Sequence, residues 1–241
     1  MTTFIASRMG RLRLPSLCII SDRKLLGEKS LDEVVSEAIE GGANVVQLRE
    51  KDLPAAELFT LGVRLRQVTK NRALLLINDR VDVVQACGAD GVQLPENGLP
   101  TSVARWVLGR HALVGRSVHS VEAAKQAEAD GADMVIVGPV FETQSKKNGQ
   151  PVGTSLVKEV AESVPLPVIA IGGIKPENAG EAIRAGAAGV AVISAICGSE
   201  DPRGAAEALS QAMAEAWRDR LAERAAPAGK QAKAKNDNGQ G

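Results

Sequence analysis

The chain has 241 residues, of which 44% are hydrophobic and 24% charged, with 29 basic and 29 acidic side chains. This length suits one large domain or two small ones, and a single α/β barrel needs about 250 residues. Because the charges balance, no global field attracts nucleic acid or a membrane, so we expect neither as a partner and any anion site must be local.

Eight short aliphatic runs follow one another along the chain, separated by stretches with helical features. They lack polar alternation, as expected for parallel strands buried on both faces. The predicted strands span Leu17–Asp22, Asn44–Glu50, Ala73–Asp79, Gly91–Leu94, Leu113–His119, Met134–Val140, Pro167–Gly173 and Gly189–Ile196. Eight βα units in sequence predict a single (β/α)8 TIM barrel of the α/β class. The alternative is an open doubly wound sheet, but no G-x-G-x-x-G follows the first strand.

Helix start and stop signals lie between the strands. Ser30 and Glu33 have the spacing of a capping box, and Ser120 and Ser155 are candidate N-caps. A long last helix is predicted from Asp201-Pro202 to about residue 224.

The two ends of the chain lack such patterns. Residues 1–14 carry three arginines without the apolar core of a signal peptide, and we interpret them as a flexible arm. Residues 225–241 are rich in Ala, Gly, Gln, Lys and Asn, and we interpret them as a disordered tail. Residues 15–224 would form the barrel. The cysteines Cys18, Cys87 and Cys197 lack metal-ligand spacing, and we expect buried thiols in a cytoplasmic protein.

In a barrel, reactive groups lie at the carboxyl ends of the strands. Strand seven ends in Gly172-Gly173, and strand eight includes Ile193-Ser194. Glycines let backbone N–H groups approach a phosphate, and the start of a short helix adds a partial positive charge. These two strand ends predict a phosphate site rather than tight turns alone.

The ends of strands two and three carry polar side chains. Gln47, Arg49 and Lys51 alternate, so they are expected on one side of the strand. Because a charge directed into a barrel is costly without a ligand, this pattern favours a second anion site over a solvated strand end. Strand three ends in Asn78-Asp79. Asp79 suits a Mg²⁺ ligand and the N-cap of the next helix equally well.

Two further strand ends carry candidate groups. Strand five ends in Ser117-Val118-His119, where the imidazole could act as an acid or base or could cap the next helix. A long polar loop follows strand six, over residues 138–153, and such loops are often lids. Thr143, Ser145 and Lys146 of this loop offer hydroxyl and ammonium donors to a phosphate.

Taken together, these segments resemble the thiamine phosphate synthase/TenI family, in the family's order, from about residue 17 to residue 214. The matching motifs are Gln47-Leu-Arg-Glu-Lys51, Ile77-Asn-Asp-Arg80, Gly115-Arg-Ser-Val-His119-Ser120, Gly138-Pro-Val-Phe141, Ile171-Gly-Gly-Ile174 with Glu177-Asn178, and Val192-Ile-Ser-Ala-Ile196. The family is a (β/α)8 barrel, so the resemblance implies the same fold. Its synthases join hydroxymethylpyrimidine diphosphate to thiazole phosphate and release diphosphate.

The resemblance implies a role for each candidate residue. Four side chains of strands two and three would hold the pyrimidine diphosphate: Gln47, Arg49, Lys51 and Asn78. Asp79 would bind Mg²⁺, Ser117 would line the pocket, and Lys146 would contact the diphosphate. The thiazole phosphate would be bound by Thr143, Ser145, Gly173, Ile193 and Ser194. Because cations around a departing diphosphate stabilise the developing charge, the expected catalytic residues are Arg49, Lys51 and Lys146.

Two features depart from the synthase pattern. Synthases have a second Mg²⁺-binding aspartate after strand four, where this chain has Gly98, and Glu96 or Asn97 could substitute. Gln93-Leu-Pro95 and His119 resemble the TenI branch, whose thiazole tautomerases aromatise carboxythiazole phosphate by moving a proton. Asn78-Asp79 and the complete set of Gln47, Arg49 and Lys51 keep the diphosphate half of the synthase site, so the resemblance favours a synthase. One alternative is a tautomerase with His119 as acid/base, and another is a non-catalytic regulator that binds thiamine precursors. The sequence leaves the oligomeric state open, with a homo-oligomer as one alternative.

Overall fold

A computed structural model describes residues 11–143 and 150–225 of the chain. Eight parallel strands close into a barrel in sequence order, and the last strand pairs with the first. The strands are β1 (Ser16–Ile20), β2 (Val45–Leu48), β3 (Leu74–Asn78), β4 (Gly91–Leu94), β5 (Leu113–Val118), β6 (Met134–Val137), β7 (Val168–Ile171) and β8 (Gly189–Val192). The predicted TIM barrel is confirmed. All strands except β4 end one to four residues before the predicted limit, because the residues beyond them form the loops at the mouth.

Helices follow the strands and surround the barrel. They are α1 (Leu31–Glu40), α2 (Ala55–Thr69), α3 (Val81–Cys87), α4 (Thr101–Leu108), α5 (Val121–Ala129), α6 (Gly153–Ser163), α7 (Pro176–Arg184), the short α8 (Ser194–Cys197) and the long α9 (Pro202–Ala225). A 3-10 turn spans Arg23–Leu25. Within the described ranges, no helix is both long enough and apolar enough to cross a membrane.

Alternating side chains of the strands divide the core into two parts. One set, including Val46 and Ile77, packs against the helices, and the other, including Val45, Leu76 and Ile169, fills the barrel axis. Each fully buried aliphatic side chain contributes about 1.5–3 kcal/mol relative to an exposed one. The two apolar layers therefore hold the strand ends, and the groups they carry, in fixed positions.

The capping signals are partly confirmed. Ser30 and Glu33 form the capping box, and Ser120 Oγ accepts from Ala123 N at 3.1 Å. Ser155 is not an N-cap, because α6 begins at Gly153 and Val152 occupies the cap position. The helix therefore starts two residues earlier than the serine pattern indicated.

Residues 11–14, predicted as part of a flexible arm, are held against the amino end of the barrel. Leu12 is buried in the apolar cluster on the barrel axis. Arg11 pairs with Asp90 and donates to the His111 carbonyl at 2.9 Å. Leu12 thus closes the end of the barrel opposite the candidate site. The last helix ends at residue 225, and the predicted tail beyond it, like residues 1–10, lies outside the described residues.

Candidate active site

A layer of polar side chains lines the barrel axis at the carboxyl ends of β2 to β5. Gln47 Nε2 donates to Asn78 Oδ1 at 3.1 Å, and Gln93 Nε2 donates to Ser117 Oγ at 3.2 Å. Gln47 and Gln93 are only 3% and 2% exposed, yet their Oε1 atoms have no hydrogen-bond partner in the described structure. An unpaired buried acceptor costs about 1–3 kcal/mol, so the two oxygens are candidate acceptors for donors of a ligand.

Gln93 belongs to this layer, although sequence reasoning gave it no binding role. Its side chain lies against Gly115, where a Cβ would come within 2.0 Å of Gln93 Oε1. The strand register could have identified Gln93 as a site residue, because Gln93 pairs with Gly115 on β5 and with Asn78 on β3. A polar residue at an inward position of a buried strand is a site candidate in any barrel.

Arg49 lies just beyond β2 and is half-buried. Its guanidinium makes no hydrogen bond or ion pair within the described part of the chain, although its backbone N donates to Ser21 Oγ at 2.8 Å. Lys51 is exposed in the turn that follows. Because β2 ends at Leu48, only Gln47 of the three residues predicted on one side of the strand lies within it, and Arg49 and Lys51 lie in the segment that follows. Both cations are available to an anion at the mouth.

Glu50, which the sequence did not single out, fixes the segment that carries these cations. Its carboxylate is buried and accepts from Ser21 Oγ at 2.7 Å, from Arg23 N at 3.2 Å and from Arg23 Nη1 at 3.0 Å. Arg23 and then Lys24 hydrogen-bond to Asp52 and lower the pKa of its carboxyl to about 2. This network thus fixes the backbone of the segment that carries Arg49 and Lys51.

Asp79 stands at the end of β3 in a left-handed conformation, with φ of 63°. Its backbone N donates to Gln93 O at 3.0 Å. It does not cap the next helix, because α3 has Arg80 at the N-cap and no side-chain cap. The left-handed region costs a non-glycine residue of order 1–3 kcal/mol and is typical of functional sites. The exposed carboxylate is therefore free for a ligand.

The surroundings of Asp79 limit how a metal ion could bind. Among the residues described, no three His, Cys, Asp or Glu side chains group as metal ligands. Glu96 Oε2 lies 2.7 Å from His119 Nδ1, and substitution of the missing aspartate by Glu96 or Asn97 stays a prediction. Mg²⁺ usually takes one or two protein carboxylates and completes its shell with water and substrate phosphate. The donor set thus fits a magnesium ion held by one carboxylate and a bound diphosphate.

His119 and Glu96 form a pair at the mouth, between the ends of β4 and β5. Arg116 holds the loop that carries Glu96, donating to the Glu96 carbonyl at 2.6 Å and to the Leu99 carbonyl at 2.7 Å. A carboxylate beside one imidazole nitrogen helps to orient the ring for proton transfer. The arrangement is chemically competent for acid/base work.

The ends of β7 and β8 form the other half of the site. Gly173 has φ of +65°, and a Cβ there would lie 2.3 Å from the Glu142 carbonyl oxygen. Asn178 Nδ2 donates to Gly173 O at 2.9 Å, which fixes the turn. The adjacent strand end carries Ile193, with Ser194 opening α8. Because the first N–H groups of a helix lack intrahelical partners, this corner offers backbone donors to a phosphate.

The loop after β6 is described only in part. Its two ends are joined, since Val152 N donates to Pro139 O at 2.8 Å and Gly153 N donates to Val140 O at 3.2 Å. Thr143 is half-buried at its base. Ser145 and Lys146 lie outside the described residues, so their predicted phosphate contacts stay predictions.

Comparison with known proteins agrees with this arrangement. The family model for thiamine monophosphate synthase matches residues 17–196. The "Thiamine-phosphate synthase" of Roseiflexus castenholzii is 45% identical over 199 residues, which cover 82% of this chain and 87% of the relative. A Geobacter sulfurreducens protein named "Putative thiamine-phosphate synthase" is 50% identical over 196 residues, covering 80% and 92% of the two chains.

A solved structure extends the comparison to the fold. The thiamine phosphate pyrophosphorylase from Pyrococcus furiosus superposes with a TM-score of 0.78 at 41% identity, covering 86% of this chain and 98% of that one. The chain belongs to the thiamine monophosphate synthase family.

Proposed function

We propose that this protein is a thiamine-phosphate synthase, which joins hydroxymethylpyrimidine diphosphate to thiazole phosphate and releases diphosphate. The observation that carries the proposal is Arg49, a half-buried cation with no partner among the described residues, two residues after the buried Gln47 that donates to Asn78. A half-buried guanidinium without a counter-ion is stabilised by an anionic ligand. Relatives that are 41–50% identical carry the name of this enzyme.

The reaction needs charge stabilisation rather than a general base. The bond between the pyrimidine methylene carbon and the diphosphate oxygen breaks, and the electron pair leaves with diphosphate. The thiazole nitrogen then donates its lone pair to that carbon and forms the new C–N bond. Arg49 and Lys51 would bind the departing oxygens, and Lys146 is proposed to do so from the loop. Fixed positive groups in a partly dry site lower the cost of this charge separation.

We propose that Asp79 holds a magnesium ion against the diphosphate. When bound, the ion would supply additional positive charge at the leaving group. Gln47 and Gln93 would orient the pyrimidine through their buried Oε1 acceptors, with Asn78 and Ser117 fixing the amides. Orientation of two bound reactants can supply much of a rate enhancement, because the encounter becomes effectively unimolecular.

The β7–β8 corner is proposed to hold the thiazole phosphate. Gly173 would admit the phosphate to the backbone, while Ile193, Ser194 and the loop residues Thr143 and Ser145 would complete the contacts. We also propose a cytoplasmic location, since the cysteines are free and buried, as in proteins of reducing compartments.

The test is direct. Purified full-length protein with both substrates and Mg²⁺ should make thiamine phosphate, and Arg49→Ala should lower kcat/KM about 10–150-fold, since a charge-assisted contact to a leaving diphosphate is worth about 1.5–3 kcal/mol. Arg64→Ala is the matched control, because Arg64 pairs with Asp32 on an outer helix. Absence of product at saturating Mg²⁺ would overturn the proposal. Binding of both substrates without turnover would then point to a regulator.

One observation favours thiazole tautomerisation as the second candidate. The 2.7 Å pair of His119 Nδ1 with Glu96 Oε2 has no role in the coupling reaction. A proton transfer needs an acid or base of this kind, which typically raises the rate about 10²–10⁴-fold. With carboxythiazole phosphate, His119→Ala should abolish tautomerisation and Glu96→Gln should slow it, while the coupling rate stays unchanged in Glu96→Gln. An unaltered tautomerisation rate in His119→Ala would exclude this candidate.

A further inference from the structure

The amino end of the barrel, opposite the candidate active site, holds a second concentration of positive charge. A cavity of about 240 Å³ lies there, lined by four arginines: Arg11, Arg13, Arg66 and Arg72. Asp90 is the one carboxylate among its lining residues. We propose that this cavity is a binding site for a compact, multiply charged phosphoanion of the diphosphate class.

Two of the four arginines are held in place. Asp90 accepts from Arg11 and from Arg66 Nη1, the latter at 2.8 Å, and its Oδ2 also accepts from Leu75 N at 2.9 Å. Arg11 is tied further to the His111 carbonyl. One carboxylate therefore orients two guanidinium groups without matching their combined charge, and each guanidinium has N–H groups to spare.

Arg13 is fixed at its backbone and unpaired at its side chain. Its carbonyl oxygen accepts from Ser16 Oγ at 3.0 Å and from Asn44 Nδ2 at 3.2 Å. Its guanidinium has no hydrogen bond or ion pair with any residue the structure describes. Arg72 donates from Nη1 to Ser36 Oγ at 3.1 Å and from Nη2 to Glu40 Oε1 at 3.5 Å, with 38% of its side chain exposed. Arg13 is thus the main available partner for an anion, and Arg72 has N–H groups to spare.

The segments outside the described residues contain little negative charge that could neutralise this cavity. Residues 1–10 and 144–149 contain no Asp or Glu, and residues 226–241 contain one aspartate and three lysines. At the nearby carboxyl end of α2, Thr69 O accepts from Arg72 N and Ala73 N at 2.9 Å, and Arg66 O accepts from Lys70 N at 3.1 Å. Coulomb attraction thus favours an added anion, and forked guanidinium groups suit phosphate oxygens.

Cavity size restricts the ligand. Ordinary small-molecule pockets measure about 300–1,000 Å³ and are mostly apolar, whereas this one is smaller and lined mainly by polar side chains. A small polyanion fits these limits better than a nucleotide or an aromatic metabolite. The site is independent of the proposed reaction at the other end of the barrel.

Calorimetric titration with inorganic diphosphate in EDTA tests the proposal. The Arg49→Ala/Lys51→Ala protein, which lacks the anion half of the candidate active site, should still bind one diphosphate. Adding Arg13→Gln should weaken that binding about tenfold or more, because it removes a charge-assisted contact. Adding Arg64→Gln, an equal change of charge outside the cavity, should leave it unaltered.

The outcomes separate the two ends of the barrel. Loss of all diphosphate binding in Arg49→Ala/Lys51→Ala would overturn the second site and leave the proposed active site intact. Equal diphosphate affinity in the Arg13→Gln and Arg64→Gln proteins would also overturn it. Loss of diphosphate binding in about 0.15 M chloride would overturn it as well, because it would show non-specific charge screening. Persistence of binding in Arg49→Ala/Lys51→Ala with loss in Arg13→Gln supports it, whatever the catalytic assay gives.

Discussion

The carboxylate of Asp79 lies against the α-carbon of Gly98, so that a Cβ on residue 98 would come within 2.6 Å of Asp79 Oδ1. The same Cβ would lie 2.8 Å from the Pro95 ring. The Asp79 carboxylate thus occupies the space that a side chain at position 98 would fill. Asp79 itself has a left-handed backbone, with φ of 63°.

Gly98→Ala should therefore disturb the carboxylate proposed to hold magnesium. We expect the Mg²⁺ concentration for half-maximal coupling to rise several-fold, with a smaller change in kcat, because Asp79 must rotate away from the new methyl group. Overpacking of this kind costs about 1–3 kcal/mol. Ser102→Ala is the control, since its side chain is exposed on α4 and has no proposed role at the site. Identical Mg²⁺ dependence in the two variants would contradict the expectation.

Gln47→Leu should separate binding from folding. The substitution removes an unpaired buried oxygen together with the amide that donates to Asn78, and it adds an apolar side chain to a buried position. Stability should be unchanged or slightly higher, because the unmet acceptor disappears. Steady-state kinetics should show kcat/KM for the pyrimidine diphosphate falling about 10–100-fold. A large fall in urea stability with normal kinetics would show that Gln47 is structural.

The fold could be predicted from the sequence because each level of the pattern agrees. Buried aliphatic runs, cap signals such as Ser30 and a chain of barrel length all favour one architecture. The site was less predictable, since it depends on which side chains meet across strands. Ser21 donates to Glu50 and accepts from the Arg49 backbone, and it lies 29 positions away from Glu50 in the sequence. No local sequence pattern shows that contact.

The pairing of Glu96 with His119 illustrates the same limit. The sequence allowed Glu96 to replace the missing metal ligand at position 98, and it did not show that the loop after β4 bends toward β5, where Arg116 binds two of its carbonyls. A long-range guanidinium contact therefore decides the partner of that carboxylate. The arginine cavity at the amino end was likewise invisible in the sequence, because its arginines come from the amino-terminal segment, α2 and the α2–β3 loop.

Asp52 should make stability depend on pH in the acid range. Hydrogen bonds from Arg23 and then Lys24 depress its pKa in the folded protein from 3.8 to about 2. A depressed carboxyl pKa contributes stability that is fully present above the unfolded value and is lost as pH falls through the folded value. Urea unfolding should therefore distinguish wild type from Asp52→Asn near pH 5, with the difference vanishing as the pH approaches 2 and shrinking in high salt.

The control for that experiment is Glu159→Gln, which removes an exposed carboxylate from α6. Its effect on unfolding should vary little over the same pH range, because the described residues give Glu159 no ion pair. A constant difference between wild type and Asp52→Asn from pH 5 downward would show that the Arg23 contact does not contribute through charge.

Gly173→Ala should damage the thiazole-phosphate half of the site. Gly27→Ala is the control that separates the effect of backbone conformation from the effect of a steric clash. Both glycines have left-handed φ, +65° and +60°, but a Cβ at Gly27 meets nothing within 4 Å, whereas one at Gly173 lies 2.3 Å from the Glu142 carbonyl oxygen. The conformation alone should cost Gly27→Ala about 1–2 kcal/mol in unfolding free energy. Gly173→Ala should lose more, and its KM for thiazole phosphate should rise at least about tenfold as the turn shifts away from the β6 loop. Equal losses in the two variants, with unchanged KM, would mean that the close approach of the two loops does not shape the phosphate site.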